Sequence, residues 1–130
     1  MMIENLKSQM RKGLLEYCIL MIISRQEAYA SDILETLKKA QLLVVEGTLY
    51  PLLLRMKNNG ILDYRWQESN DGPPRKYYRL TEDGHQLLEQ LSEEWTAIDS
   101  AINTLIATEP SSEAKTPYSE DDPLFNKGMS

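Results

Sequence analysis

Apolar residues recur at helical spacing near the middle of the chain. The four that define the pattern lie three or four residues apart on one helical face: Leu49, Leu52, Leu53 and Met56. This periodicity predicts a helix over residues 45–59. Gly60 follows the last periodic position and is expected to end the helix. Pro51 should fall early in it, where the loss of a backbone N–H costs less than in mid-helix.

Two further helical patterns precede this one. Residues 5–24 carry apolar side chains at three- and four-residue steps on more than one face. One side of this helix can therefore pack within its own domain while another packs against something else. The next helix begins near Ser31, and Ser31 or a neighbour should cap it; its inner face consists of Ile33, Leu34 and Leu37. The sequence thus predicts three helices before residue 60.

Two short runs of alternating apolar and polar residues follow the third helix. They predict strands over residues 61–67 and 75–80. The turn between them covers residues 70–74, where the Asp-Gly and Pro-Pro pairs are strong turn signals. Three helices and a hairpin in this order are the layout of a winged helix-turn-helix, which is a DNA-reading module.

The two strands of the hairpin differ in chemistry. Leu62, Tyr64 and Trp66 should share one face of the first strand, and that face can rest on the helices. Arg75 and Lys76 give the returning strand a basic cluster beside a turn that the prolines stiffen. Such a hairpin is suited to lie beside a DNA groove, although a plain basic hairpin has the same pattern.

A long amphipathic helix is predicted over residues 82–107. Thr81 is a candidate N-cap, and acidic residues in the first turn suit the positive end of the helix dipole. At 1.5 Å per residue this helix is about 40 Å long, which is more than a small winged domain can cover. A second copy of the chain would bury its apolar stripe, using the spare face of the first helix. The expected interface of this homodimer consists of Leu14, Leu91, Trp95, Ile98, Ile102 and Leu105.

Together these elements predict a mainly α fold class with a small β-hairpin. The predicted parts are a winged helix-turn-helix DNA-binding domain over residues 1–80, a dimerisation helix over residues 81–107 and an acidic tail over residues 108–130. The tail is rich in Pro, Ser, Glu and Asp and has few apolar residues, so it is predicted to be disordered.

The distribution of charge matters more than its total. The formal net charge of −6, taken alone, argues against a nucleic-acid partner. Residues 1–80, however, contain 12 Lys and Arg against 9 Asp and Glu, whereas residues 81–130 contain 2 against 11. The basic residues thus lie where the DNA-binding domain is predicted, and phosphate contacts depend on local charge.

Few residues point to any other chemistry. Cys18 is the only cysteine, so no internal disulfide can form, which fits a cytoplasmic protein; its apolar neighbours indicate a buried small side chain. His85 has no companion Cys or His at ligand spacing, so we expect neither a metal nor a cofactor. The pattern contains no nucleophile–base pair and no phosphate-binding glycine loop, which argues against an enzyme. The apolar run over residues 13–23 is too short to span a membrane.

Two longer motifs carry a family resemblance. The first consists of Gly47-Thr48-Leu49-Tyr50-Pro51-Leu52-Leu53, Arg55-Met56 and Asn59-Gly60-Ile61-Leu62. The second consists of Gly72-Pro73-Pro74-Arg75-Lys76-Tyr77-Tyr78, Leu80-Thr81 and Gly84. They resemble the recognition helix and the wing of the PadR family of bacterial transcriptional regulators, and the resemblance extends over about residues 11–105. It implies a homodimeric repressor that binds double-stranded DNA at a palindromic operator, with half-sites about one helical turn or a multiple apart.

The expected DNA contacts lie on the second helix, the third helix and the wing. Thr48 and Tyr50 can hydrogen-bond to bases or phosphates, and the cationic side chains can neutralise phosphates. Ser31 is placed for a phosphate at a helix N-terminus, or is an ordinary cap. Tyr50 could instead be partly core, and Arg55 a solvated surface charge; the resemblance favours DNA contact. The full set is Ser31, Thr48, Tyr50, Pro51, Arg55, Lys57, Gly72, Arg75 and Lys76.

Trp95, in the middle of the expected dimer interface, has two possible roles. Trp95 is, on general grounds, interface core. Some PadR-type regulators of multidrug genes have a tryptophan at a similar place that stacks flat aromatic cations between the protomers, and the segment from Trp95 to Asp99 resembles that region. The resemblance implies an effector site for an aromatic small molecule, formed by Met10, Gly13, Tyr17, Trp95 and Asp99. Both interpretations, effector site and plain core, stay open.

A function from another class also fits part of the pattern. A winged-helix protein-interaction module without DNA binding is compatible with the acidic total charge. Loss of all affinity for DNA at low salt would support that alternative.

Overall fold

The computed structural model describes residues 2–42 and 44–110. Along the chain the elements are α1 (Met2–Arg25), α2 (Ala30–Lys39), α3 (Glu46–Asn58), β1 (Leu62–Ser69), β2 (Gly72–Leu80) and α4 (Glu82–Ala107). This order confirms the predicted fold class, a winged helix-turn-helix followed by a long C-terminal helix. Within the described ranges no helix combines the length and the apolar character needed to cross a membrane.

The core lies between the second half of α1, the inner faces of α2 and α3, and the base of the hairpin. Each helix contributes residues three or four positions apart, because that spacing places them on one face. The side chains that are almost completely buried are Ile19, Leu20, Ile33, Leu37, Leu49, Leu53 and Leu62. Leu34 and Leu52, which were also expected to face inward, pack against this core and are partly buried.

The start of α2 differs from the prediction. The N-cap residue is Tyr29, and its backbone N–H donates a hydrogen bond to the Asp32 carboxylate (3.1 Å). Ser31, the first candidate for the cap, is instead the second residue of the helix and is exposed, and its neighbour Tyr29 takes the N-cap position. An acidic residue in the first turn suits the positive end of the helix dipole as well as a serine cap would.

Helix α3 ends as its sequence predicts. The N–H groups of Gly60 and Ile61 donate to the carbonyls of Lys57 and Met56 (3.0 and 2.9 Å). Gly60 has a φ of +77°, a left-handed conformation that costs glycine little. These two bonds form a Schellman motif, which confirms the stop at Gly60.

Helix α2 ends with the same motif but without a glycine. The N–H groups of Gln41 and Leu42 donate to the carbonyls of Lys38 and Leu37 (3.0 and 2.8 Å). Gln41 has a φ of +67°, where a residue with a Cβ is strained by about 1 kcal/mol. The tight connection from α2 to α3 is therefore made at some conformational cost.

The hairpin is longer than predicted and its turn is shorter. β1 and β2 pair antiparallel from Leu62 to Gln67, and pairing resumes between Ser69 and Gly72. The turn has only two residues, so the predicted turn over residues 70–74 is wrong in extent. The predicted strands each gain residues at the end next to the turn.

The two prolines belong to β2. Pro73 and Pro74 lie opposite the single residue Glu68, which makes a bulge in the ladder. Proline has no N–H to donate, so a strand accepts it only at a bulge or an unpaired edge. Farther along, the outer edge of β2 is paired: Tyr78 exchanges backbone hydrogen bonds with Ala28 (2.8 and 3.1 Å). This pairing fixes the wing beside the start of α2.

Thr81 caps α4, as predicted. Its hydroxyl accepts a hydrogen bond from the Gly84 N–H (3.0 Å) and donates to the Gly60 carbonyl (2.6 Å). Gly84 is buried, and a Cβ at this position would collide with the carbonyl oxygen of Ile61. The start of α4 approaches the α3–β1 connection so closely that only glycine fits there.

The chain divides into two units, Met1–Glu94 and Trp95–Ser130. In the first unit, the N-terminal half of α1 exposes Met2, Ile3, Leu6, Met10 and Leu14. In the second unit, the helix exposes Trp95, Ile98, Ile102, Leu105 and Ile106. The predicted boundaries after residues 80 and 107 stay a prediction. Residues 111–130, which form most of the predicted disordered tail, lie outside the described residues.

Candidate nucleic-acid interface

A cleft of about 460 Å³ lies between the start of α2, the N-terminal half of α3 and strand β2. Its wall is formed by Tyr29, Ala30, Ser31, Tyr50, Trp66, Arg75, Lys76 and Tyr78. Four residues predicted to contact DNA, namely Ser31, Tyr50, Arg75 and Lys76, are therefore brought together from three separate elements. The pairing of Tyr78 with Ala28 positions them, because it holds β2 against the beginning of α2.

The cations in this cleft are not neutralised by carboxylates. Arg75 and Lys76 form no ion pair within the described part of the chain, and both lie over aromatic rings instead. The Arg75 guanidinium is 5.5 Å from the centre of the Tyr29 ring, and Lys76 Nζ is 4.6 Å from that of Tyr64. Cation–π contacts orient a charge without cancelling it. These two charges are thus available to an external anion.

Other cations of the wing have internal partners. The Arg79 guanidinium pairs with the Asp63 carboxylate (3.1 Å), and that of Arg65 lies 3.7 Å from the Glu27 carboxylate. The free positive charge of the hairpin is therefore concentrated at Arg75 and Lys76.

The exposed side of α3 adds polar groups. Tyr50 is about half exposed (49 %), and Thr48 and Lys57 are exposed. Lys57 Nζ lies 5.7 Å from the centre of the Tyr64 ring, so this lysine reaches toward the wing. Gly72 is exposed at the wing tip, where β2 begins.

Three of the predicted contacts on α3, including Thr48, border a second surface. Thr48, Pro51 and Arg55 line a second cavity, of about 640 Å³, between α1 and α3. The Arg55 guanidinium forms an ion pair with the Glu16 carboxylate of α1. Pro51 is the sixth residue of α3, so it falls in the second turn rather than the first, and the Gly47 carbonyl loses its helical donor. The structure thus divides the predicted set between two surfaces.

Comparison with known proteins decides the family. A sequence profile of the transcriptional regulator PadR-like family matches residues 19–90. The chain belongs to this family. A PadR-like transcription factor from Bacteroides fragilis is 54 % identical, with coverage of 78 % of this chain and 98 % of that one and a TM-score of 0.68. A PadR-like regulator from Bacillus cereus is 40 % identical, with coverage of 78 % and 100 % and a TM-score of 0.71.

More distant relatives keep the same fold. The structure of a PadR family regulator from Eggerthella lenta is 27 % identical, covers 83 % of this chain and 95 % of its own, and has a TM-score of 0.73. The family is one of transcriptional regulators, so this PadR-like chain is a DNA-binding regulator and not an enzyme. The matched residues include the helix-turn-helix, the wing and every residue that lines the cleft.

Three aromatic residues of the PadR-like cleft, Tyr29, Trp66 and the buried Tyr78, were not among the predicted contacts. Tyr29 forms part of its wall, and Trp66 is 60 % exposed beside Lys76. The alternation on β1 placed Trp66 on the face that rests on the helices, yet only Leu62 and, in part, Tyr64 are covered there. The hairpin extends beyond the helices, so the last residue of an inward face emerges into solvent. The length of β1 indicates that its far end is exposed, whereas the alternation of apolar and polar residues does not.

The residues predicted for an effector belong to both units. In the first, Met10 and Gly13 are exposed, and the half-buried Tyr17 donates a hydrogen bond from its hydroxyl to Ser92 Oγ (3.2 Å). In the second, Trp95 is 36 % exposed and Asp99 is exposed on the same helix, one turn later. Of the remaining predicted interface residues, Leu14 is 37 % exposed and Leu91 is partly buried.

Three side chains have shifted acidities with clear causes. The Tyr64 backbone N–H (2.8 Å) and then the Arg79 guanidinium lower the pKa of Asp63, so this ion pair persists to lower pH than an ordinary carboxylate would allow. Burial, aided by Tyr50, raises the pKa of Tyr78, whose hydroxyl therefore stays protonated.

Burial also raises the pKa of the Cys18 thiol, which packs half-buried against the core and has little thiolate character. This location is close to the predicted buried position. Among residues 2–42 and 44–110, no group of three or more His, Cys, Asp or Glu could hold a metal ion.

Proposed function

We propose that this chain is a homodimeric repressor whose wing and α3 bind one half of a palindromic operator. The observation that carries the proposal is the cleft in which Arg75 and Lys76, both free of ion pairs in the described structure, lie beside Tyr50 and the start of α2. Half-sites about one helical turn, or a multiple, apart would match the two-fold symmetry of such a dimer. Because chromosomal DNA lies in the cytoplasm, we also infer a cytoplasmic location.

Different residues would contribute in different ways. Arg75 and Lys76 would neutralise phosphates and supply most of the salt-dependent affinity. Tyr50 and Thr48 would hydrogen-bond at the groove, and Ser31 would donate its hydroxyl to a phosphate near the start of α2. Lys57, Pro51 and Gly72 would border the contact. Arg55 has its charge compensated by Glu16, so we expect it to add the least of the predicted cations.

The homodimer is supported by apolar surface that would otherwise meet water. Trp95, Ile98, Ile102 and Leu105 follow one another at steps of three, four and three, which is close to a coiled-coil seam. Each of them is more than a third exposed. In the other unit, α1 exposes the apolar side chains of Met10 and Leu14. A second copy of the chain, related by two-fold symmetry, would cover these residues.

An aromatic effector would act through the same interface. Trp95 offers a flat face and Asp99 a negative charge one turn away, which together suit a planar aromatic cation. Met10, Gly13 and Tyr17 would complete the site. A ligand that binds the DNA-free dimer more tightly than the DNA-bound dimer would shift the population and release the operator.

Titration with planar dyes should quench tryptophan fluorescence. Absence of quenching with several chemotypes would assign Trp95 to the interface core alone.

The DNA-binding proposal is tested by removing the free cations. Arg75→Ala with Lys76→Ala should weaken binding to DNA from upstream of the protein's own gene and to unrelated duplexes alike. The slope of log affinity against log salt should fall in magnitude by about two per protomer. The matched control is Lys38→Ala with Lys39→Ala, which removes the same charge at the C-terminus of α2, outside the cleft.

The outcomes separate the candidate functions. Equal slopes for the two double variants would remove the wing from the DNA contacts. If the wild-type chain has no affinity for any duplex at low salt, the protein-interaction alternative replaces the proposal.

A further inference from the structure

The wing holds an unusually exposed tryptophan. Trp66 is 60 % exposed, although tryptophan is on average among the more buried residue types. It sits in β1 directly opposite Lys76, and its ring centre is 5.6 Å from Lys76 Nζ. Both residues line the cleft that also contains Arg75 and Tyr50. A large apolar surface thus lies next to one of the two free cations.

The indole is supported from the core outward. Its ring meets that of Tyr64 edge to face, with centres 5.9 Å apart and planes at 87°. Tyr64 in turn contacts the buried Tyr78 at 5.8 Å. This row of three aromatic side chains lies on one face of the paired strands, so the exposed indole is held by a rigid support. A pre-organised apolar group loses little entropy when it binds a partner.

The surface that fits an indole beside a lysine is the sugar–phosphate backbone of DNA. Along a strand, charged phosphates alternate with deoxyribose rings, which offer carbon-bound hydrogens and little charge. Lys76 can pair with a phosphate, and Trp66 can pack against a deoxyribose ring. We propose that Trp66 packs its indole against a deoxyribose next to the phosphate that Lys76 neutralises. This inference rests on the proposed DNA binding by the cleft and adds an apolar contact to it.

An apolar contact has a distinct thermodynamic signature. Neutralising a phosphate releases counterions, so the affinity contributed by Lys76 falls as salt rises. Packing an indole against a sugar releases none, so its contribution persists at high salt. The dependence of affinity on salt therefore distinguishes a contact made by Trp66 from an effect transmitted through Lys76.

The experiment compares Trp66→Ala, Trp66→Phe and Lys76→Ala with the wild type on one duplex, from about 50 mM to about 200 mM salt. Trp66→Ala should weaken binding about tenfold, a typical loss for one aromatic contact to a nucleic acid, and leave the salt slope at the wild-type value. Lys76→Ala should lower the magnitude of the slope by about one per wing. Trp66→Phe should retain most of the affinity, because a smaller aromatic ring can still pack on a sugar.

Fluorescence gives a second readout. DNA should quench the emission of the wild type, and this change should be absent from Trp66→Phe, in which Trp95 is the remaining tryptophan. The Trp66 side chain is exposed, so the melting temperature of each variant should stay close to that of the wild type. A lower melting temperature would indicate a folding defect instead of a lost DNA contact.

Two results would overturn the inference. Unchanged affinity of Trp66→Ala would show that the indole does not meet DNA. A salt slope for Trp66→Ala that falls as far as the slope for Lys76→Ala would show that the indole only positions the lysine. In both cases the wild type still binds the duplex, so the proposed function stands; a wild type without affinity for DNA would remove that function instead.

Discussion

Two regions of this molecule carry apolar stripes of the same kind, with opposite outcomes. In the winged-helix region the stripes of α2, α3 and the second half of α1 are buried, and Leu20, Leu37 and Leu53 are at most 1 % exposed. On the last part of α4, Ile98 and Ile102 are 43 % and 46 % exposed, although they repeat at the same spacing. Periodicity therefore identifies a face that must be buried but does not say which molecule buries it.

The difference follows from how much chain surrounds each stripe. Helices α2 and α3 and the second half of α1 have the hairpin and one another as neighbours, so their apolar faces close on a common core. Full burial of one aliphatic side chain is worth about 1.5–3 kcal/mol. A stripe of several exposed residues therefore provides a strong driving force for association, and a second copy of the chain can supply the missing surface. Three experiments test this division.

The largest effect should come from charging the exposed stripe. Ile98→Glu with Ile102→Glu would place carboxylates without partners in the proposed interface, which should weaken self-association at least about a hundredfold. Sedimentation at several protein concentrations measures the change. The matched control, Ser100→Glu with Thr104→Glu, adds the same charge on the opposite side of the helix and should associate like the wild type. Equal association of both variants would show that the stripe is not the interface.

In the buried region a single methyl group should be enough to destabilise the fold. Gly84→Ala would drive a Cβ into the Ile61 carbonyl, and a backbone atom cannot rotate away. We expect a loss of about 2 kcal/mol in the free energy of unfolding, or about 10 °C in melting temperature. Gly47→Ala is the control: nothing lies within 4 Å of its new Cβ, so this helical position should gain about 0.5–1 kcal/mol. Protein concentration must be equal in these melts, because association shifts them.

The smallest effect concerns the two Schellman motifs within the winged region. Gln41→Gly should raise the free energy of unfolding by about 0.5–1 kcal/mol, since glycine relieves the strain of the left-handed conformation. Gly60→Ala, at the matching position of α3, should lower it by a similar amount. Denaturant titrations with unchanged slopes would measure both differences. A stabilising Gly60→Ala would contradict the explanation from backbone strain.

Much of the fold could be predicted from local signals. The period of α3, the stop at Gly60, the cap at Thr81 and the extent of α4 each depend on residues within a few positions of one another. The basic cluster at Arg75 and Lys76 was equally visible. These features need no distant partner, which is why a single sequence determines them.

Two details of the structure depend on contacts that no local signal shows. Ser31 or a neighbour was expected to cap α2; the N-cap is Tyr29, which directly follows Ala28, the residue that pairs with Tyr78 of β2. Arg55 looked free, yet α1 supplies its partner, Glu16. In each case the deciding contact joins residues far apart in the chain.

Hydrophobic period, turn chemistry and motif spacing act over short range, so the amino-acid sequence was enough to predict the elements of this protein, their order, its local charge and its membership of a DNA-binding family. It did not reveal which cations stay unpaired, which tryptophan is exposed at the wing and which apolar stripes the chain buries against itself. Those outcomes depend on packing between distant segments, and packing is set by the shape of the whole core rather than by any one stretch of it.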